Sequence, residues 1–201
     1  MTRFYLLRHA ETATPMVFHG AESDVELSAM GHMQAELVAD TLAPMKPDVV
    51  ISSGMRRAIN TAKPLAARLG MTLQIEPALH ERKVAGLSGL PHDAMDNIWA
   101  QTVQRWMAGE TSFTHEGAES FDALRDRIVP VWQRLAEQHA GRTVVLVAHG
   151  IVCRVLLLSI LPGWSVADWE KLGPIRNIAV NELTWDGAAW SAVRLNEVPR
   201  E

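Results

Sequence analysis

The sequence predicts an α/β fold built on a mainly parallel sheet, and three observations carry that prediction. Four short strand-like runs, apolar or β-branched, recur at 3–7, 48–52, 73–77 and 143–149. Each is followed by a segment with apolar side chains at helical spacing, and strand–helix alternation is the pattern of a parallel sheet covered by helices. Two later runs flank Asp186-Gly187, the signature of a hairpin at the end of the chain.

The elements follow in order. Residues 3–7 form a buried strand. A helix is predicted over 31–43, ended by Pro44. The β-branched run DVVIS, 48–52, is the second strand. The helix over 55–70 ends at Gly70, with a kink expected at Pro64. LQIEP, 73–77, is the third strand. A helix over 92–108 carries Trp99 and Trp106. A long amphipathic helix spans 119–139, with Pro130 inside it. TVVLVAH, 143–149, is the most strand-like run, and a buried helix follows at 150–160. The runs at 177–183 and 189–195 complete the sheet as a hairpin or edge pair.

No linker, repeat or low-complexity segment divides the 201 residues, so one domain over 1–201 is expected. Apolar residues make up 48% and charged residues 21%, the composition of an ordinary globular chain. The net charge of −4 gives no bulk attraction to nucleic acid or an anionic membrane. The single cysteine, Cys153, excludes an intramolecular disulfide and fits a reducing compartment. The N-terminal apolar run is too short for a signal peptide. The stretch 144–162 is interrupted by His149, Arg154 and Pro162 and is no membrane span. A cytoplasmic location is expected. The eight histidines show no metal-ligand spacing such as H-E-x-x-H, so no metal site is expected.

Open α/β sheets bind ligands beyond the carboxyl ends of their strands. After the first strand come Arg8 and His9. After the second come Ser52-Ser53, then Arg56 and Arg57. Glu81 follows the third, and His149-Gly150 follows the fourth. Arginines and histidines around one point make an anion pocket, because the guanidinium fork stays charged and matches phosphate. Gly150 opens a helix whose free N–H groups would add donors. An imidazole held at one nitrogen presents the other as a nucleophile. A nearby carboxylic acid could protonate the leaving alkoxide.

At these residues the sequence resembles the histidine phosphatase superfamily, the phosphoglycerate-mutase-like fold. The resemblance runs over roughly residues 4–198 and rests on five ordered segments. They are Arg8-His9-Ala10 with Glu11-Thr12; LSAMGHMQA, 27–35; SSGMRRAINTA, 52–62; ERKVAGLSGL, 81–90; and VAHGIVCRVL, 147–156. The resemblance implies a three-layer α/β/α sandwich. It implies His9 as a nucleophile that becomes phosphohistidine. Arg8, Arg57 and His149 would hold the phosphoryl group, with Gly150 beside them. Glu81 would be proton donor and then the base that activates water. No cofactor or metal is implied. Three departures stand out: Ala10 replaces a usual glycine, Pro15 replaces a phosphate-contacting asparagine, and His19-Gly20 falls in a loop that often contacts substrate. His19 and Gly20 are therefore carried as substrate-binding candidates.

Blander readings apply elsewhere. Arg56 is expected to be solvated, Cys153 buried in its helix, and His32, His92, His115 and His139 on surfaces or helix faces. Trp99 and Trp106 are core or lid residues that could wall an entrance. The phosphoglycerate mutases of this family carry a longer insert, extra basic residues and a shielding C-terminal tail. Here the segment 82–148 is short and its basic residues sparse, so the resemblance implies a phosphatase acting on a small phosphorylated metabolite, with a helical specificity insert at about 88–118. The runner-up is a cofactor-dependent phosphoglycerate mutase. A phospho-ligand-binding module without catalysis, or a phosphoprotein phosphatase, ranks lower, because His9, Glu81 and His149 are all present and no peptide-binding segment is visible. The sequence names neither the substrate nor the oligomeric state.

Overall fold

The computed structural model describes residues 1–199. In strand β1 (Thr2–Arg8), Phe4 and Leu6 enter one apolar cluster while Tyr5 and Leu7 enter another. Successive strand side chains point to opposite faces, so a strand covered on both sides must be apolar throughout. In β2 (Val49–Ser53), Val49 and Ile51 join the first cluster and Val50 the second. In β4 (Thr143–Ala148), Val144 and Leu146 oppose Val145 and Val147 in the same way.

The sheet also holds β3 (Gln74–Glu76), β5 (Val180–Trp185) and β6 (Trp190–Glu197), in the order β3-β2-β4-β1-β5-β6. The first four strands in that order are mutually parallel, while β5 runs antiparallel to both β1 and β6. Helices α1 (Ala29–Leu42) and α2 (Arg56–Arg68) cover one face through Ala35, Val38, Leu42, Ala58, Ala62 and Leu65. Helices α3 (His92–Met107), α4 (Phe121–Gln138) and α5 (Gly150–Ile160) pack on the other, where Trp106, Trp132 and Leu156 are buried. The result is a three-layer α/β/α sandwich with a mainly parallel central sheet. A short helix α6 (Trp169–Leu172) follows α5.

The structure departs locally from the sequence expectations. The third strand is three residues long, because Pro77 opens a 3₁₀ turn at the sheet edge. The strand expected at 177 starts at Val180. Ile178 turns the chain with a φ of 55°, and its N–H donates to the Arg8 carbonyl. Helices α2 and α4 continue through Pro64 and Pro130. His139 is buried beside the end of α4 rather than exposed. Arg127, on a face of α4, pairs with Glu119 and donates to the carbonyls of Ala78 and His80.

For the site, the decisive feature is the adjacency of β2, β4 and β1. Their parallel register aligns Arg8 with Ala148 and Ser52 with Val147. The residues that follow each strand therefore converge at one edge.

Candidate active site

His9 lies just beyond β1 and is held on every side. Its Nδ1 is 2.7 Å from the Ala10 carbonyl oxygen, so Nδ1 carries the proton and Nε2 is left as the free lone pair. The His9 carbonyl accepts from Asn177 Nδ2 at 2.9 Å. The Ala10 N–H donates to Thr61 Oγ1 at 2.9 Å, and the Glu11 N–H donates to Gln34 Oε1 at 2.8 Å. Two of the sequence segments exist to supply these clamps. In LSAMGHMQA, Ser28 caps α1 by accepting from the Gly31 N–H and also donates to the Glu11 carboxylate. Gly31 is required because a Cβ there would overlap the Glu11 carbonyl oxygen. In SSGMRRAINTA, Thr61 ties α2 to Ala10, and Ser53 Oγ lies 2.6 Å from His149 Nε2. The methyl of Ala10 is buried in the apolar cluster beneath the loop, which accounts for alanine in place of glycine.

His149 is the residue before α5, with its ring centroid 5.2 Å from that of His9. It is wholly buried, and its Nδ1 has no partner. Burial lowers the pKa of both histidines well below the usual value, and the Arg57 and Arg8 guanidinium groups push in the same direction. Both rings are therefore neutral at neutral pH. Arg8 donates from Nη1 to the Ile175 carbonyl, and its buried Nε has no partner. Arg57 donates to the carbonyls of Ser23 and Gly20, and its Nε is likewise buried and unpartnered. Two buried guanidinium groups with unused donors form a site prepared for an anion.

Glu81 closes the ring. Its carboxylate accepts from the N–H groups of Ile151 and Val152 in the first turn of α5 and from its neighbour Arg82. A carboxylate at a helix N-terminus satisfies otherwise orphaned donors and faces the positive end of the helix dipole.

These groups border a cavity of about 470 Å³ lined by Arg8, His9, Glu81, Gly150 and His19, among others. Arg57 and His149 are wholly buried and are not among its lining residues, and Gly20 contributes its carbonyl to Arg57 rather than a wall to the cavity. His19 reaches the cavity but is held between Thr14 and Ser23. Trp99 lines the mouth with Phe18, whereas Trp106 is wholly buried. Arg56 pairs with Asp24 and Glu26 in solvent. Cys153 is buried, and burial pushes its thiol pKa well up, so it is inert as a nucleophile.

Several contributors carry no sequence signal strong enough to single them out. Asn177 meets His9 only through the fold. Arg82 looks like half of a surface pair, yet it is wholly buried, with its guanidinium 5.2 Å from the ring centres of both Trp99 and Trp106. Thr61 and Ser53 sit inside recognisable segments, but only contact geometry reveals their tasks. Among the described residues, no group of three or more His, Cys, Asp or Glu side chains could hold a metal ion, and no helix is long and apolar enough to cross a membrane.

Comparison with known proteins gives a consistent picture. The family model described as histidine phosphatase superfamily (branch 1) matches residues 4–198. The chain is 31% identical over 190 residues to a glucosyl-3-phosphoglycerate phosphatase of Mycobacterium tuberculosis, covering 90% of this chain and 85% of that one. It is 31% identical over 211 residues to a metal-independent phosphoserine phosphatase of Arabidopsis thaliana, covering 96% and 82%. A solved structure of mycobacterial glucosyl-3-phosphoglycerate phosphatase in complex with VO3 superposes with a TM-score of 0.84 at 29% identity, covering 96% of this chain and 98% of that one.

Proposed function

The chain belongs to the histidine phosphatase superfamily, and from that membership we propose that it is a metal-independent phosphomonoesterase that hydrolyses a small phosphorylated metabolite through a phosphohistidine on His9. The observation that carries this reading is the His9 ring: neutral, clamped at Nδ1 by the Ala10 carbonyl, with Nε2 free beside two under-used guanidinium groups.

In the first step the Nε2 lone pair attacks phosphorus and the ester P–O bond breaks. The leaving alkoxide takes the proton of a protonated Glu81. Arg8, Arg57 and His149, with the N–H groups that open α5 at Gly150, stabilise the charge on the equatorial oxygens. In the second step Glu81, now a carboxylate, takes a proton from water as the oxygen attacks phosphorus. The P–N bond breaks, and its electron pair returns to His9. The segment 88–118, with α3 at its centre, is the specificity insert in this reading, and His19 is a substrate contact at the cavity wall. The substrate is a small phosphate ester, as the relatives' substrates are by name.

The test is hydrolysis of an aryl phosphate in the presence of a chelator. Full activity is expected; a strict requirement for added metal would refute the reading. Glu81→Gln should lower kcat/KM, which reports the first step alone, about a hundredfold or more for alkyl phosphates and far less for aryl phosphates, whose leaving groups depart without a proton. Equal losses would remove Glu81 from the role of acid.

A further inference from the structure

The first turn of α5 presents Gly150, Ile151 and Arg154 to the cavity. Gly150 marks the phosphate end, since a Cβ there would lie 3.4 Å from Arg8 Nε. Arg154 stands four residues further along the helix, a rise of about 6 Å. Its role in the reaction steps above is nil, yet its environment is that of a binding group. The residue is 7% exposed, its Nε is buried with no partner, and its guanidinium stacks 4.0 Å from the centre of the Trp169 ring. One bond is used: Nη2 donates to the Trp169 carbonyl. Among the described residues no carboxylate forms an ion pair with it, and Glu170 acts on it only through its field. A buried cation without a counter-ion is costly unless something supplies the anion.

We propose that Arg154 is a specificity-determining residue that binds a carboxylate of the substrate, four residues along α5 from the phosphate end. The preferred substrates are then phosphate esters of small hydroxy acids. Stacking on Trp169 fixes the plane of the guanidinium in advance, so little side-chain freedom is lost when the carboxylate arrives. The assignment rests on the phosphatase reading given above.

The test compares two esters that differ only at the proposed contact, 3-phosphoglycerate and glycerol 3-phosphate, with an aryl phosphate as control. Wild-type kcat/KM is expected to favour the carboxylated ester about tenfold to a hundredfold, the range for a hydrogen bond to a charged partner. Arg154→Met keeps the stem packed on Trp169 but removes the donors. It should bring 3-phosphoglycerate down to the level of glycerol 3-phosphate, while the other two substrates change less than about threefold. Arg154→Lys, which keeps the charge, should retain part of the preference. Equal or equally undetectable turnover of the two esters by the wild type overturns the assignment, as does an Arg154→Met variant that loses all three substrates alike. The wild-type ratio needs no variant, so misfolding of Arg154→Met does not shelter the proposal. Aryl phosphate turnover separates the two failures: with it intact, only the carboxylate site falls; without it, the phosphatase reading falls as well.

Discussion

Thr61→Val is the sharpest probe of how the fold holds His9. The substitution keeps the volume and β-branching of the side chain and removes one hydroxyl. That hydroxyl accepts the Ala10 N–H at 2.9 Å and donates to the Arg57 carbonyl at 2.7 Å. The Arg57 carbonyl keeps its helical bond, so its loss is small. The Ala10 N–H is wholly buried and is left with no partner, which costs about 1–3 kcal/mol. In a chain of this size each kcal/mol lowers Tm by about 2–4 °C. Because the Ala10 carbonyl orients His9 through Nδ1, a shift of this peptide also misaims Nε2, and a lower kcat should accompany the lower Tm. The assay pairs urea unfolding with aryl phosphate kinetics on Thr61→Val and Thr61→Ser. The serine variant should recover both quantities. A valine variant with unchanged stability and kcat would show that the loop is held without this bond.

Further outcomes follow from the same contacts. His9 and His149 have folded-state pKa values well below the unfolded value of about 6.5, chiefly through burial. Their contribution to stability is complete above about pH 6.5 and is lost as pH falls below it, because the unfolded chain then binds protons that the folded one refuses. Stability should drop by roughly 2–3 kcal/mol between pH 7.5 and 5.5. A urea midpoint constant over that interval would contradict the buried, neutral assignment. At Gly31, alanine would favour the helix by about 1 kcal/mol, yet its methyl would overlap the Glu11 carbonyl oxygen, and overpacking costs about 1–3 kcal/mol. Gly31→Ala should therefore lower both Tm and kcat; a stabilised, fully active variant would show that the close approach of α1 to the nucleophile loop is dispensable.

The central groups are legible in the sequence for a physical reason. A parallel strand buried on both faces is apolar along its length, so the charged residues at its end, Arg8-His9 after Leu7 and His149 after Ala148, stand out against it. Arg57 and Glu81 become legible by their place in ordered segments. The supporting groups do not. Asn177 is 168 positions from the His9 carbonyl that it holds, and no local pattern encodes such a pairing. Arg82 next to Glu81 looks like an ordinary charged pair, and only the packing of α3 buries it between two tryptophans. Arg154 sits in the recognised segment 147–156, but that it lacks a counter-ion depends on which carboxylates the fold brings near. The early turn at Ile178 is likewise dictated by tertiary contact, since its N–H closes on the Arg8 carbonyl.

The proposed chemistry stands or falls on whether His9 carries the phosphoryl group. Wild-type enzyme and His9→Ala should each be mixed with an aryl phosphate, quenched during turnover and mapped for bound phosphate. The wild type is expected to yield acid-labile phosphate on the peptide that contains His9, and His9→Ala should neither trap phosphate nor turn over. Hydrolysis retained by His9→Ala, or phosphate trapped at another residue, would contradict a phosphohistidine on His9.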